Sequence, residues 1–380
     1  MVAAAVVDYR ELARRRLPRV LFDYIDGGSY AEATVRSNIE DFGRVLLRQR
    51  VLRDVATVVP ETQLFGEQLA MPVLCAPVGM AGLYARRGEV RAARAARAAG
   101  VPFCLSTVSV CSIEEVTAGA GSAPWFQLYA MKDRGFMAEL LARARAAGSP
   151  VLILTVDLPR PGARYRDMRT GMSGNAKLAV RARTVIDGLM HPRWLADVHF
   201  GGRPHLFGNL ASVMPQAKAI SDFWPWVAAN FDPSLTWADL DWVRSRWPGP
   251  IVIKGILDVD DAREAVLRGA DGIAVSNHGG RQLDSVSSAI AALPRIADEV
   301  GDELAVLMDG GVRSGLDVVK ALANGARACL IGRPWAWALG AAGERGVAHV
   351  LAIIRAEMVM AMTLCGVTRV ADIDRGVLVK

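Results

Sequence analysis

Short apolar runs recur along most of the chain and alternate with stretches that have the composition of amphipathic helices. The runs are four to seven residues long, and helical stretches rather than hairpin turns separate them. Continuous apolar runs of this kind are typical of parallel strands that are buried on both faces. The pattern therefore predicts eight strands, at 71–77, 101–106, 125–129, 151–157, 251–254, 272–275, 305–309 and 328–332.

Helical stretches occupy several of the intervals between these runs. They are predicted at 88–100, 134–147, 258–269 and 314–325, and a further single helix is predicted over residues 8–28, ending at two glycines. Repeated strand–helix units predict an α/β protein with a (β/α)8 TIM barrel, and a doubly wound sheet is the alternative. A GxGxxG motif after an early strand would support a Rossmann domain, and the sequence has none there.

The alternation is interrupted once, by a long segment after the fourth run. It holds six of the nine tryptophans, which could pack the segment onto the barrel, line a quinone pocket or contact a membrane interface. Long loops in compact domains are usually lids or binding loops. We therefore expect a single domain over 1–380, with an N-terminal helical cap (1–70), a barrel (71–157 and 251–365) and an active-site insertion (158–250).

Composition narrows the possible partners. The chain has 380 residues, 52% of them hydrophobic, which is ample for a large core. Its net charge is +6, but the arginines are scattered among acidic residues, so nucleic acid is not indicated, whereas an anionic substrate or membrane surface is compatible. The five cysteines form no CxxC pair, which favours reduced thiols in a cytosolic compartment over disulfides or a metal site.

Membrane-spanning segments are not expected. The first residues are apolar but lack the basic start and the cleavage site of a signal peptide. No apolar run approaches the roughly 18 residues of a spanning helix. Any membrane association is therefore expected to be peripheral.

Candidate chemistry is concentrated in the loop after the sixth run, Ser276–Asp284. It carries a possible base, His278, and a cation, Arg281, around a pair of glycines that permit a tight turn. An imidazole and a guanidinium on one short loop suit proton abstraction beside a bound anion. Taken alone, however, a histidine in a glycine-rich loop is more often structural.

Polar residues also end the other predicted strands, and these ends meet at the active-site face of a barrel. Lys254 in a buried strand needs an acceptor, or could form a Schiff base, and Asp157 could orient His278. Glycines and arginines after the last two strands occupy the usual phosphate-binding position of barrels. The residues at these ends are Gly79, Ser106, Thr107, Gln127, Tyr129, Thr155, Asp157, Lys254, His278, Asp309, Gly310, Gly311, Arg313, Gly332 and Arg333.

The Ser276–Asp284 string, SNHGGRQLD, resembles the signature of the FMN-dependent α-hydroxy acid dehydrogenases and oxidases, and the likeness extends over nearly the whole chain. Within that family, the chain most resembles the bacterial respiratory, quinone-linked L-lactate dehydrogenases. The stretches that carry this resemblance are Tyr84–Val90, Leu105–Cys111, Gly162–Asp167 and Asn230–Ser234.

The resemblance implies roles for individual residues. His278 would take a proton from the substrate, with Asp157 behind it and Tyr129 near the substrate hydroxyl. Tyr24, Arg164 and Arg281 would bind substrate, the first and last of them at its carboxylate. FMN would be held by Pro77, Val78, Gly79, Ser106, Gln127, Thr155, Lys254, Ser276, Asp309, Gly310, Gly311, Arg313, Gly332 and Arg333.

The implied activity is oxidation of L-lactate to pyruvate through FMN, with a quinone or another respiratory acceptor. The resemblance further implies a homotetramer, peripheral on the cytoplasmic side of the plasma membrane. The scattered charges and the cysteine pattern predict no nucleic acid partner and no metal. Gly79 stands where the oxidases tend to have alanine, which favours a dehydrogenase. A hydroxy acid oxidase that reduces oxygen to peroxide and a mandelate dehydrogenase are the alternatives. An aldolase that uses Lys254 would be a barrel enzyme of another class.

Overall fold

A computed structural model describes residues 2–172, 177–218 and 220–379, and only the backbone at 221, 224 and 228. A strand is found at each of the eight predicted runs, and only the strand at 251–254 extends beyond its run, to Ile256. In chain order the strands are β1 (Thr62–Leu64), β2 (Glu67–Leu69), β3 (Val73–Cys75), β4 (Cys104–Ser106), β5 (Trp125–Tyr129), β6 (Leu152–Thr155), β7 (Ile251–Ile256), β8 (Gly272–Val275), β9 (Ala305–Asp309) and β10 (Ala328–Ile331).

Strands β3 to β10 form a closed parallel barrel. Seven consecutive pairings link them in the order β3-β10-β9-β8-β7-β6-β5-β4 within the described residues. The circle is completed between β3 and β4, where Cys75 N donates to Pro102 O at 2.9 Å and Cys75 forms a parallel bridge with Phe103. The (β/α)8 prediction is confirmed, and the doubly wound alternative is wrong because an open sheet would leave β3 and β4 as unpaired edges.

The helices surround this barrel, and the four predicted between strands begin and end within two residues of their expected bounds. They are α1 (Val6–Arg16), α2 (Arg19–Asp26), α3 (Ala33–Arg44), α4 (Gly88–Ala98), α5 (Ile113–Ala120), α6 (Arg134–Ala146), α7 (Tyr165–Thr170), α8 (Leu178–Leu189), α9 (Pro192–Trp194), α10 (Ile220–Asn230), α11 (Asp239–Arg244), α12 (Val259–Leu267), α13 (Ala289–Val300), α14 (Gly315–Ala323) and α15 (Arg333–Cys365).

The prediction of one helix over 8–28 is wrong, because α1 and α2 are separate. Leu17 between them is extended, with φ −90° and ψ 143°. Pro18 follows, and a proline disfavours helical geometry in the residue before it and cannot donate a backbone hydrogen bond. The break allows α2 to turn its own face toward the barrel, where Tyr24 and Ile25 are buried.

The N-terminal cap is helical only as far as Arg44, and it ends in the antiparallel hairpin β1–β2. Leu64 and Leu69 of this hairpin belong to a small core inside the barrel, together with Leu74, Trp125 and Val252. The hairpin therefore plugs one end of the barrel interior. A second and much larger core lies between the strands and the surrounding helices.

Helix α15 is the one helix among the described residues that is long and apolar enough to cross a membrane by length and composition. It is broken at Gly343, which has φ 63° and ψ −145°, and it packs against α1, α4 and α14. Its start follows β10 directly, with Trp335 and Leu339 fully buried. Packing on the barrel accounts for its apolar face.

The segment between β6 and β7 contains α7 to α11. The side chains described at Trp194, Trp226, Trp237, Trp242 and Trp247 are half-buried or buried, so they pack within the protein. Trp194 Nε1, for example, donates to Leu83 O at 2.8 Å. Helix α8 has no buried residue over its twelve positions, whereas α7 and α11 each have at least one.

The five cysteines are all buried and none is in a disulfide, as the sequence predicted.

Candidate active site

A cavity of about 920 Å³, partly open to solvent, lies at the carboxyl ends of the barrel strands. Sixteen of the twenty residues to which the family resemblance gives a role line it, and one of them, Tyr24, comes from α2 outside the barrel. The sixteen are Tyr24, Pro77, Val78, Gly79, Tyr129, Thr155, Arg164, Lys254, His278, Arg281, Asp309, Gly310, Gly311, Arg313, Gly332 and Arg333.

The other four residues lie directly behind this lining. Asp157 is hydrogen-bonded to His278, and Ser276 links two lining residues. Ser106 Oγ donates to Gln127 Oε1 at 3.1 Å, and both side chains are buried at adjacent strand ends. All twenty thus belong to one continuous site, although they are up to 309 positions apart in sequence.

His278 and Asp157 form a hydrogen-bonded imidazole–carboxylate pair in the site. His278 Nδ1 lies 2.8 Å from Asp157 Oδ1, so the carboxylate holds a proton on Nδ1 and leaves Nε2 free to accept one. Burial lowers the pKa of His278 below its usual 6.5, and Lys254 and Arg164 lower it further, whereas Asp157 opposes the shift. His278 is therefore neutral, and able to act as a base, at neutral pH.

Asp157 itself is ionised. Burial alone would raise its pKa, but His278 and Lys254 outweigh that effect, and the pKa lies below its usual 3.8. Oδ2 of this carboxylate is buried and has no hydrogen-bond partner among the described residues.

The loop that presents His278 is fixed by contacts distant in sequence. His278, Gly279 and Gly280 all have positive φ, at 56°, 64° and 73°. A Cβ at Gly280 would lie 2.8 Å from Val35 N, so the approach of α3 requires glycine there. The loop and α3 are also joined by Asp284, whose carboxylate accepts from Ala33 N and Thr34 N in the first turn of α3.

Two asparagine side chains also join the His278 loop to α3. Asn277 and Asn38 exchange two hydrogen bonds of 2.8 Å, and both side chains are buried. Asn277 Oδ1 also accepts from Gly280 N at 3.1 Å. Neither asparagine was singled out from the sequence, because an amide pair gives no signal until the chain has folded.

Lys254 is charged and paired. Its Nζ lies 2.9 Å from Asp309 Oδ2 and donates to Ser276 Oγ at 2.9 Å, and Ser276 Oγ donates to Asp309 Oδ1 at 2.6 Å. Burial would lower the pKa of Lys254, but Asp309 and Asp157 outweigh it and raise the pKa above its usual 10.5. A Schiff-base lysine needs a neutral amine, so this environment disfavours the aldolase alternative.

Two arginines and a tyrosine form a cationic wall on the side of α2. Arg281 lies over the Tyr24 ring at 4.8 Å and Arg164 at 5.8 Å. One nitrogen of Arg281, Nη1, is held by Tyr24 O at 2.6 Å and Gly27 O at 2.9 Å. This anchoring orients the guanidinium, and a planar fork suits two-point binding of a carboxylate.

Arg313 and Arg333 form a second cationic region at the far end of the cavity. Burial lowers the pKa of Arg313 to about 10. Burial also lowers the pKa of Arg333, and the neighbouring Arg281 and Arg313 add to this effect. Unbalanced buried cations favour an anion between them. The three nitrogens of Arg333 donate to the carbonyls of Asp26, Gly279 and Gly27. Because these bonds use much of its donor capacity, Arg333 would attract a bound anion partly through its charge.

The residues present fit FMN, the cofactor implied by the resemblance. Gln127 Nε2 and Thr155 Oγ1 are buried beside the cavity without hydrogen-bond partners among the described residues, so they could serve the polar atoms of a flavin ring. At Gly79, a Cβ would lie 2.9 Å from Val108 Cγ2, so the packing of Val108 favours glycine at this point of the cavity wall. The buried arginines at the other end suit a phosphate.

Several residues of the lining were not singled out from the sequence. They are apolar or contribute backbone, and most of them have no signal in the sequence other than a position near a strand end. They are Ile25, Ala76, Val108, Val312, Leu330, Ile331 and Ala336.

Known proteins resemble the chain along its whole length. The profile of a family described as FMN-dependent dehydrogenase matches residues 13–380. A protein of Caulobacter vibrioides (strain NA1000 / CB15N) named L-lactate dehydrogenase is 58% identical over 379 residues, which cover 100% of this chain and 98% of that protein. A protein of the same name from Pseudomonas syringae pv. syringae (strain B728a) is 55% identical over 380 residues, covering 100% and 99%.

Two solved structures are also similar to the chain over nearly its whole length. The crystal structure of the monotopic membrane protein (S)-mandelate dehydrogenase has a TM-score of 0.92 at 34% identity and covers 100% of both chains. The crystal structure of mandelate oxidase has a TM-score of 0.82 at 39% identity, covering 97% of this chain and 96% of that one.

Proposed function

Because the chain belongs to the FMN-dependent dehydrogenase family and FMN is its cofactor, we propose that it oxidises L-lactate to pyruvate and passes the electrons to a quinone or another respiratory acceptor. The observation that supports L-lactate as the substrate is the 55–58% identity, over the full chain, to proteins named L-lactate dehydrogenase. The geometry agrees with it, since one cavity presents a neutral imidazole beside cations suited to a small carboxylate.

Substrate binding begins with the carboxylate. Arg281 presents its remaining guanidinium hydrogens to the cavity while Nη1 stays on the backbone of α2. Arg164 and the Tyr24 hydroxyl contribute from the same wall, and Tyr129 contacts the substrate near its hydroxyl. These contacts hold the α-carbon in one place, which converts a bimolecular encounter into an oriented reaction.

Proton removal falls to His278. Its Nε2 accepts one proton from the substrate, and the imidazolium that forms is stabilised by the ionised Asp157 on Nδ1. When bound, FMN accepts the two electrons of the oxidation. Lys254, held charged by Asp309, places a positive charge where it can stabilise negative charge on the reduced ring.

The remaining proposed roles concern cofactor binding. Ser106, Gln127, Thr155 and Ser276 serve polar ring atoms, and Pro77, Val78 and Gly79 cover one face of the ring. Asp309 serves the ribityl hydroxyls, and the phosphate lies among Gly310, Gly311, Arg313, Gly332 and Arg333. Gly311 is also needed for packing, because a Cβ there would lie 1.9 Å from Asn38 O.

One experiment tests this function directly. The purified holoprotein is mixed without oxygen with L-lactate, D-lactate, glycolate or (S)-mandelate, and flavin reduction is followed by absorbance. We expect L-lactate to give the highest kcat/KM, and preference for mandelate would support the alternative suggested by the solved structures. Reoxidation is then compared between oxygen and a soluble quinone. A stoichiometric yield of peroxide, with no faster reaction with quinone, would identify an oxidase.

We further propose a peripheral membrane contact through the apolar face of α8. Leu178, Ile186 and Leu189 of this helix are exposed by 83%, 61% and 63%. Arg181 and Arg183 lie on the same helix and are exposed too. Apolar side chains beside cations are typical of a helix that lies in the interface of an anionic membrane. The monotopic membrane protein among the similar structures supports this proposal.

Vesicle co-sedimentation tests the contact. Ile186→Glu with Leu189→Glu should abolish binding to vesicles that contain anionic lipid, while lactate oxidation with a soluble acceptor persists. Leu267→Glu is the matched control, since Leu267 is 77% exposed on α12, in another part of the chain. Equal binding of all three proteins would refute the proposal. Analytical ultracentrifugation would test the homotetramer that the family resemblance suggests.

A further inference from the structure

A second cavity lies behind the active site, between β6 and β7 and the segment 232–240. Its volume is about 1100 Å³, part of it open to solvent. Asp157 lines this cavity but not the first, whereas His278 lines the first but not the second. The hydrogen-bonded His278–Asp157 pair therefore spans the wall between the substrate cavity and a separate opening to solvent.

The second cavity is polar enough to hold water. Three acidic residues, Asp157, Asp232 and Asp261, line it together with Thr155 and Thr236. Water enters a protein cavity when the space is large enough and offers several polar partners, and both conditions hold here.

The three carboxylates differ in what they can still bind. Asp232 is occupied, because its oxygens accept from Arg134 and from Ser234. Asp157 Oδ2 is buried and has no partner among the described residues. Asp261 is exposed near the start of α12. An acceptor with a free oxygen thus lies at the inner end of the cavity and an exposed carboxylate at its outer end.

We propose that this cavity is the proton pathway of the enzyme, leading from His278 through Asp157 and water to Asp261 and bulk solvent. The inference rests on the proposed oxidation of a 2-hydroxy acid. In that reaction the substrate C–H and O–H bonds break and a C=O bond forms. The two electrons and one hydrogen go to FMN, and the second hydrogen is left as a proton on Nε2 of His278.

The proton balance of the pathway is as follows. The imidazolium passes its Nδ1 proton to Asp157, which passes a proton to the cavity water and so to solvent. The ring keeps the proton on Nε2. When a quinone takes two electrons and two protons, one proton comes from FMN and one from Nε2. A proton from the same cavity then restores Nδ1–H, and the cycle closes without net release.

The charges at the two ends of the path favour transfer in this direction. His278 faces Asp157, Lys254 and Arg164, and burial together with the two cations lowers its pKa. The pKa of Asp157 is also lowered, because His278 and Lys254 outweigh its burial, so Asp157 carries the proton only transiently and returns at once to its ionised form. At the outer end, partial burial raises the pKa of Asp261, and the neighbouring Asp258 and Asp260 raise it further, while a hydrogen bond from Trp237 opposes them. A carboxyl with a raised pKa exchanges protons with water more readily near neutral pH.

Two variants and a matched control test the pathway. Asp261→Asn removes the outer carboxylate, and Leu235→Trp fills the cavity from its half-buried wall. Asp260→Asn is the control for the loss of a charge beside Asp261, since Asp260 is the adjacent residue, has a side chain exposed by 85% and does not line the cavity. It removes one of the charges that raise the pKa of Asp261 but leaves the Asp261 carboxylate in place. The holoprotein is mixed with lactate without oxygen in weak buffer, and flavin absorbance and a pH-indicator dye are followed together.

In the wild type and in Asp260→Asn we expect proton release to keep pace with flavin reduction. In Asp261→Asn and Leu235→Trp reduction should remain within about twofold of the wild type while proton release lags by about tenfold or more. Release at the wild-type rate in Asp261→Asn would overturn the proposal, whether or not Leu235→Trp folds.

A second readout needs no turnover. The chain has five histidines, so the Nδ1 proton of His278 can be identified by NMR of the 15N-histidine-labelled holoprotein without substrate. Its exchange with solvent should slow by about tenfold in Asp261→Asn and be unchanged in Asp260→Asn. If no 2-hydroxy acid reduces the flavin, the proposed function fails, and this exchange rate still decides whether the pathway exists.

Discussion

At the scale of single residues, the chemistry depends on how burial and neighbouring charges set protonation states. His278 and Lys254 are both buried, yet burial keeps the first neutral, while the carboxylates around the second keep it charged. The difference lies in the partners, because His278 has one carboxylate and two nearby cations, whereas Lys254 has two carboxylates. One site thereby holds a base and a fixed positive charge at the same pH.

Replacing the base tests the central assignment. We expect His278→Ala to retain FMN, because the residues proposed to bind it are unchanged, and to lower kcat by about 10²- to 10⁴-fold. Flavin content by absorbance and steady-state kinetics measure the two effects. A variant that binds FMN and turns over at a near-normal rate would show that His278 is not the base.

The pH profile tests the role of Asp157. In the wild type, kcat/KM should fall as the pH drops through the pKa of His278, which lies below 6.5, because protonation removes the base. The charge of Asp157 raises that pKa. Asp157→Asn should therefore move the acidic limb to lower pH and lower kcat by about 10²-fold or more. An acidic limb that shifts to higher pH would contradict this reasoning.

Binding of the substrate carboxylate by Arg281 is tested by a substitution that changes the shape of the cation and keeps its charge. Arg281→Lys should raise KM and lower kcat/KM by roughly 10- to 100-fold, since a hydrogen bond to a charged group contributes about 1.5–3 kcal/mol. The control is lactamide, which lacks the carboxylate. The ratio of kcat/KM for lactate to that for lactamide should fall in the variant, and an unchanged ratio would place the carboxylate elsewhere.

At the scale of elements, the functional side chains lie at the strand ends, and local irregularities of the backbone set their positions. Strand β7 pairs out of register with β8 between Lys254 and Ile256. Gly255 at this bulge has φ 119°, and a Cβ there would lie 2.6 Å from Asp157 Cβ. The bulge therefore makes room for the carboxylate that orients His278, in keeping with the tendency of bulges to occur beside active sites.

Gly255→Ala should consequently cost both stability and activity. Strain at positive φ and overpacking against Asp157 predict a loss of about 2–4 kcal/mol in the free energy of unfolding. Gly269→Ala is the control, because Gly269 also has positive φ, at 69°, but has nothing within 4 Å of its Cβ position. It should lose about 1 kcal/mol and keep full activity, as measured by urea denaturation and kinetics. Equal effects of the two substitutions would argue against a specific role for Gly255.

At the scale of the whole molecule, the cofactor cavity joins parts of the chain that are far apart in sequence. Its lining runs from Tyr24 in α2 through the barrel strands to Ala336 in α15. Buried cations at one end, Arg313 and Arg333, are destabilising until an anion binds between them. Binding of FMN is thus expected to stabilise the barrel and the N-terminal cap together.

Removal of FMN should therefore lower the unfolding temperature of the protein. The barrel and the N-terminal cap should still unfold in a single transition. At a free FMN concentration of about 100 times Kd, the gain in unfolding free energy is about 2.7 kcal/mol. Scanning calorimetry of the FMN-free protein, with and without added FMN, measures it, and riboflavin is the control because it lacks the phosphate. A shift as large with riboflavin as with FMN would show that the arginines do not bind the phosphate.

Much of the fold was determined by local pattern. Apolar runs that are buried on both faces fix the strands, and the regular return of helices fixes a parallel barrel, so the polar groups at strand ends had to meet. Twelve of the sixteen candidate residues that line the cavity follow from the strand ends and the loop after β8, whereas Tyr24, Pro77, Val78 and Arg164 were implied only by the family resemblance. Where one residue overrides the pattern, as Pro18 does between α1 and α2, the prediction of a single helix was wrong.

Contacts between distant residues were decided only by the tertiary structure. The Asn38–Asn277 pair spans 239 positions, and the hairpin plug, the Lys254–Asp309 ion pair and the second cavity behind Asp157 have no local signature. Apolar periodicity reports whether a residue is buried, but a hydrogen bond or a cavity depends on which other residues occupy the adjacent space. The sequence therefore determined the barrel and the identity of its chemical groups, and the packing of the folded chain decided their partners, their charges and their access to solvent.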